Sequence, residues 1–351
     1  MRNFFINIFI FLIIFLILNL WPNLVLNPYF GNKCYYSKYK FYKENEQKYN
    51  TIILGSSRLY RQINPQVLDN ILKNYKISTF NLASPSTYNP EIYYLYENLL
   101  RNLENRYLKY VLLELQTINN ISSDNLKTAR NYYWHNLKYL FFVTHYSFAS
   151  DFSLKGKIKL INKYVLSYTN KFVYGYRSIF ANKIKENALV LGNNKDGFYP
   201  LDAQMADIGG NNYLRERYIK FQEDKSSLDK RKAKISSLFS RKESDLFINN
   251  NHLAKLNKII EKSKQKGIHL VFIIPSRTFG YDKLLGIKSK LPKKHVIEIA
   301  NSEKYPELYE VEFTFDIGHL NKKGAKIFTE YLASEIQENI LNSHKLVSNK
   351  N

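Results

Sequence analysis

TIILGSSR, Thr51 to Arg58, is a short β-branched and aliphatic run that stops at Gly55 and is followed by two serines and an arginine. Such a run reads as a buried strand. The glycine lets the backbone turn sharply, and the serines then stand where a helix begins. A side chain at that point lies over the carboxyl end of a sheet, where open α/β folds bind their ligands. A hydroxyl is a weak nucleophile until a base accepts its proton. A candidate base lies near the other end of the chain, in Asp316-Ile317-Gly318-His319.

Working outward, Asn64-Pro65 opens a helix through about Leu72, since proline suits a first helical turn. Ile77 to Leu82 reads as a second strand ending in Ala83-Ser84-Pro85-Ser86, and Glu91 to Leu103 has helical periodicity. Tyr110 to Leu115, YVLLEL, is a third strand, mostly apolar as a buried parallel strand is. The alternation predicts a parallel sheet with helices on its faces. It stops at Thr117 and resumes with a helix over about Asn251 to Gln265, closed by Gly267. Ile268 to Ile274 is the next strand, His295 to Ile299 a short last one, and Lys322 to Ile340 a closing amphipathic helix. Residues 117–248 therefore read as one long, mostly helical insertion in an α/β domain spanning 50–341, with a polar tail over 342–351. Within the insertion, the charged stretch Asp224 to Glu243 reads as an exposed helix or loop.

Of the 351 residues, 52 are Lys or Arg and 30 are Asp or Glu, for a formal net charge of +22. The basic residues are spread along the chain, and no zinc-finger, RRM or helix-turn-helix pattern accompanies them, so no nucleic-acid partner is expected. A solvated lysine-rich surface is the simplest account of the charge. The single cysteine, Cys34, rules out an intramolecular disulfide and a cysteine zinc site. The remaining histidines show no metal-ligand spacing, and neither metal nor cofactor is expected.

Phe4 to Trp21 is nearly all apolar and uncharged. Its length suits a membrane helix, which takes about 20 residues, and no small-residue cleavage site follows it. Residues 1–22 are expected to form a transmembrane signal anchor and 23–49 a linker, with the membrane as a partner. Charge counting around this segment places the body in the cytoplasm, while a signal anchor places it outside.

Acyl-ester chemistry at a serine needs the hydroxyl, an imidazole to take its proton, a carboxylate to hold the imidazole, and donors aimed at the oxyanion. Ser57 or Ser56, His319 and Asp316 supply the first three. Gly55-Ser56-Ser57 and Asp316-Ile317-Gly318-His319-Leu320-Asn321, together in one α/β pattern, resemble the first and last blocks of the SGNH (GDSL-like) hydrolase superfamily. The resemblance is closest to its membrane-anchored bacterial cell-envelope branch.

The resemblance implies a flavodoxin-like three-layer sandwich with Ser57 as nucleophile, His319 as base and Asp316 as its carboxylate. The second block, Asn81-Leu82-Ala83-Ser84, lacks the family's glycine, so a backbone N–H of Ala83 or Ser84 is the expected oxyanion donor. The third block lacks the family's asparagine, and Gln116 or Asn119 would supply the amide. The resemblance further implies an extracytoplasmic esterase or O-acyltransferase acting on a cell-envelope or exported polysaccharide. An acylated glycan or an acyl-donor protein would be its partner. The alternative is a non-catalytic envelope protein of the same fold that binds or scaffolds glycan assembly.

Overall fold

The computed structural model describes residues 2–25, 31–104, 106–118, 125–181, 187–278 and 280–342. Five parallel strands form the central sheet: β1 (Thr51–Leu54), β2 (Thr79–Asn81), β3 (Tyr110–Glu114), β4 (His269–Ile274) and β5 (Val296–Glu298). Their order is β2-β1-β3-β4-β5, that of a doubly wound open sheet whose strand order reverses between β1 and β3. All four β1 residues and five of the six in β4 are buried. Apolar groups on both sides of each strand account for the continuous hydrophobic runs in the sequence.

Helices α1 (Arg2–Val25) and α2 (Lys33–Asn45) precede the sheet. α3 (Ser57–Gln62) and α4 (Pro65–Ile71) connect β1 to β2, and α5 (Glu91–Arg101) connects β2 to β3. The insertion between β3 and β4 carries α6 (Ala129–Trp134), α7 (Leu137–Phe148), α8 (Leu154–Ala181), α9 (Leu201–Ile208), α10 (Tyr213–Glu223) and α11 (Ser226–Phe239). α12 (Asn250–Gln265) leads into β4, α13 (Tyr281–Lys290) into β5, and α14 (Lys322–Ile336) closes the domain.

α12 buries His252, Leu256, Ile259, Ile260 and Ser263, a stripe at helical spacing. It meets α5 through Tyr93 Oη to His252 Nε2 at 2.6 Å and Tyr96 Oη to Ser263 Oγ at 2.7 Å. α14 packs on α3 and α4. Before α14, β6 (Thr314–Asp316) and β7 (His319–Leu320) form a small antiparallel hairpin in which Asp316 and His319 face each other. Ile317 and Gly318 are thus a two-residue turn that fixes that pair.

Three expectations are corrected here. Within the expected linker 23–49, Lys33–Asn45 is not one: it forms α2, which buries Tyr35, Lys38, Tyr39 and Tyr42. Phe41 stacks on Phe80 of β2 with centroids 5.9 Å apart, and the Lys38 ammonium donates to the Asn81 and Ala83 carbonyls at 3.0 and 2.6 Å. Tyrosines supply the apolar area, which is why a polar-looking stretch joins the core. For Asp224 to Glu243 the exposed helix holds and the loop is corrected: α11 leaves Asp229, Lys230 and Lys234 exposed and buries Leu228, Ile235 and Leu238 against the body.

The third correction concerns the amino terminus. α1 is a helix, and its described side chains from Arg2 to Ile14, with Ile17, are exposed. The expected span to Trp21 runs into residues whose side chains lie outside the described set. Among the described residues no helix is long and apolar enough to cross a membrane. The transmembrane anchor, the membrane partnership and the extracytoplasmic placement that depended on it are withdrawn. The tail from 343 lies outside the described residues.

The insertion also covers the β2 edge. Asn81 N–H donates to the Asp196 carbonyl at 2.8 Å. Gly197, at φ +86°, lies so close that a β-carbon would fall 2.1 Å from the Asn81 carbonyl oxygen. A left-handed conformation and a backbone clash both oppose any larger residue. Gly197→Ala is expected to lower unfolding stability by about 2 kcal/mol or more, read as a fall in denaturant midpoint at unchanged slope.

Candidate active site

Ser56 caps α3 by accepting the Arg58 N–H on its hydroxyl at 3.2 Å. That turn leaves Ser57 half-buried as the first helical residue, above the end of β1. Its hydroxyl lies 2.9 Å from His319 Nε2. His319 Nδ1 lies 2.9 Å from Asp316 Oδ1. The fold therefore joins residues 262 positions apart into one chain of contacts. Burial raises the Asp316 carboxyl pKa, but the His319 hydrogen bond and charge, Arg217 and the Gly318 N–H outweigh it and hold the pKa at about 2. An ionised Asp316 only accepts, so Nδ1 carries the imidazole proton and Nε2 accepts from the Ser57 hydroxyl. Burial lowers the His319 pKa, Asp316 opposes that, and Arg217 and Arg58 add to it. The net effect is an imidazole kept neutral and able to accept a proton.

The hairpin that carries this pair is held from behind. Arg277 follows β4 and is fully buried. It donates to the Asp316 carbonyl at 2.8 Å, the Leu308 carbonyl at 2.7 Å and Thr314 Oγ1 at 2.6 Å. Burial lowers the Arg277 pKa to about 10, so the group stays charged at neutral pH. Arg231 of α11 donates to the Ile317 carbonyl at 2.8 Å.

The turn that carries Ser57 is held by Glu114 at the end of β3. This carboxylate is completely buried, accepts the Ser56 N–H at 2.6 Å and accepts Arg58 Nε at 3.0 Å. A β-carbon on Gly55 would lie 2.7 Å from Glu114 Oε2, so the glycine is needed here for close approach. An acidic residue inside the apolar run YVLLEL is the signal that could have marked Glu114.

Ser57 and His319 open onto a cavity of about 400 Å³. Its walls include Arg58, Tyr88, Arg217, Lys220 and Phe221. Arg217 pairs with Asp316 Oδ2. It belongs to the insertion, whose composition gave no hint of a role beside the hairpin.

The expected oxyanion donors are not assembled there. The Ala83 N–H donates to Asn81 Oδ1 at 3.1 Å and the Ser84 N–H to the Gly55 carbonyl at 3.0 Å. Gln116 accepts the Asn89 N–H and donates to the Thr87 carbonyl, both at 3.3 Å. Buried backbone and amide groups are nearly always paired, and these three are paired with the fold itself. None of them lines the cavity, and Asn119 lies outside the described residues. Among the described residues no group of three or more His, Cys, Asp or Glu is placed to hold a metal.

No protein-family model matches this chain, and no curated protein matches it in sequence. The resemblance to the membrane-anchored SGNH (GDSL-like) branch is accordingly corrected to an α/β sandwich with no family assigned. The resemblance rested on two short blocks, Gly55–Ser57 and Asp316–Asn321, separated by a long unmatched insertion. So few positions carry little signal across a whole chain.

Two tests follow from this geometry. Glu114→Gln puts an amide donor against the Ser56 N–H or the Arg58 guanidinium, and is expected to cost about 3 kcal/mol, as breaking one side of a buried pair does. Chemical denaturation of the full chain measures it. The depressed Asp316 pKa means that the folded state binds fewer protons than the unfolded state between about pH 4 and 2. Asp316 then contributes about 2 kcal/mol above that window, lost as pH falls through it. The wild-type chain should lose more stability between about pH 5 and 2 than Asp316→Asn, measured by denaturant titration at each pH.

Proposed function

We propose that the protein is a serine-dependent acyl-ester hydrolase or O-acyltransferase. The observation that carries this is the contact chain Ser57 Oγ, His319 Nε2, His319 Nδ1, Asp316 Oδ1, with 2.9 Å at each link, opening onto a cavity large enough for a small ester. In this reading Ser57 Oγ attacks the ester carbonyl while His319 Nε2 takes the hydroxyl proton. Asp316 holds the Nδ1–H and stabilises the imidazolium. The tetrahedral intermediate collapses, the alcohol leaves with the proton from His319, and the acyl group remains on Ser57. Water or a sugar hydroxyl then gives its proton to His319 and takes the acyl group. The Ser57 N–H, in the first turn of α3, has no intrahelical acceptor and is the donor this reading gives to the oxyanion.

Tyr88 and Phe221 bring aromatic faces, and Lys220 and Asp224 bring polar groups, to the cavity wall. An acylated sugar meets both kinds of surface, which supports a glycan ester as substrate.

A second reading, a protein that binds such a ligand without turning it over, draws on one observation: the Ala83 and Ser84 N–H groups are committed elsewhere. The two readings part on p-nitrophenyl acetate hydrolysis by the full chain and its Ser57→Ala variant, with labelling by a serine-directed phosphonate. The enzyme reading expects labelling at Ser57 and a loss of at least about 10³-fold in the variant. Turnover retained by Ser57→Ala would remove Ser57 as the nucleophile, and a folded wild-type protein neither labelled nor active would favour the binding reading.

A further inference from the structure

Asp316 is shared. One carboxylate oxygen meets His319 Nδ1 at 2.9 Å, and the other is taken by Arg217. Arg217 Nη2 also stands 3.5 Å from His319 Nδ1. Since Nδ1 carries a proton, that approach is a contact between two donors. It exists because both groups reach for the same carboxylate. Arg217 comes from α10, and residues 217, 220 and 221 of that helix, with Asp224 at its C-terminal cap, all line the cavity. Their spacing is that of one helical face. The helix touches β6, and Leu214 and Tyr218 pack on Phe315, next to Asp316. The insertion is thus docked on the catalytic hairpin itself.

We propose that Arg217 is a positioning residue of the Ser57–His319–Asp316 site, through which the insertion completes that site: it fixes the second oxygen of Asp316 and keeps His319 neutral until a proton is transferred. The inference rests on the acyl-transfer reading for its catalytic consequence, though not for its effect on His319.

A carboxylate held at one oxygen only, as Asp316 Oδ1 is by His319 Nδ1 at 2.9 Å and the Gly318 N–H at 2.7 Å, can still rotate about its terminal torsion. A guanidinium on the other oxygen, within a charge-assisted hydrogen bond, removes that freedom. A fixed positive charge beside the ring also disfavours the imidazolium. The other charges around the ring do not replace Arg217. Arg58, on α3, is tied to Glu114. Arg231 and Arg277 donate to backbone carbonyls of the hairpin. Lys220 and Asp224 line the outer cavity wall. With Arg217 removed, one of the influences that lower the His319 pKa is lost, and the pKa rises. A base with a higher pKa is protonated, and so inactive, over more of the acid range.

Arg217 is 44% exposed, so its substitution leaves the core intact. The experiment titrates His319 by NMR in the ¹⁵N-histidine-labelled full chain, its signal assigned by loss in His319→Gln. The wild type is compared with Arg217→Gln and Arg217→Lys. In parallel, kcat/KM for p-nitrophenyl acetate is followed from pH 5 to pH 9. The Gln variant should titrate at higher pH than wild type, with the Lys variant between them. The acid limb of its rate profile should move the same way, so that its loss at pH 6 exceeds its loss at pH 9 by about tenfold.

Coincident His319 titrations in wild type and Arg217→Gln would overturn the proposal. So would a loss in rate of equal size at every pH, which is what a purely structural role gives. A shifted titration in a chain that turns over no ester would uphold Arg217 as the group that sets His319, while the acyl-transfer reading would fall.

Discussion

The buried carboxylate of Glu114 is the constraint on which the site depends. It stands at the carboxyl end of β3, next to β1 in the sheet, and binds the Ser56 N–H and Arg58 Nε together. A charge so deeply buried is tolerable only when its oxygens are satisfied, so the turn after β1 has little freedom. Gly55 must lack a side chain, Ser56 must cap α3, and Ser57 must then emerge at one place over the sheet. The parallel pairing of β1 with β3 is what brings the carboxylate to that turn.

The opposite side of the site is built by a different device. The hairpin carrying Asp316 and His319 is not part of the main sheet. Its position comes from arginines that reach it from three segments: Arg277 after β4, Arg231 on α11 and Arg217 on α10. Two of these bind backbone carbonyls and fix the path of the chain. The third binds the Asp316 side chain and so acts on the electrostatics of His319. A cluster of cations is stable here because carbonyl dipoles and one carboxylate are distributed among them, and because guanidinium groups hold several acceptors in a fixed plane.

Some of this was legible in the sequence because it is locally encoded. Buried parallel strands need continuous apolar runs, and the segments around Thr51, Tyr110 and Ile268 have them. Ser57, Asp316 and His319 could be singled out because chemistry at an ester needs those side-chain types after a strand or before a helix. The oxyanion donors could not be read in the same way. Whether the N–H groups of Ala83 and Ser84 are available depends on the acceptors opposite them. Those acceptors are the Asn81 side chain and the Gly55 carbonyl. The stretch before β1 misled for another reason: its tyrosines and lysines look like a solvated linker, yet four of them are buried in α2.

Where the strands of the sheet lie and which residues are chemically able to act could be read along the chain, since periodicity and side-chain type are properties of neighbouring positions. That Glu114 clamps the serine turn, that α2 joins the core, and that Arg217 meets Asp316 across 99 positions of chain came from folding alone. These contacts depend on how the insertion and the hairpin pack on one another. Packing is set by the mutual fit of distant surfaces, which no local pattern records.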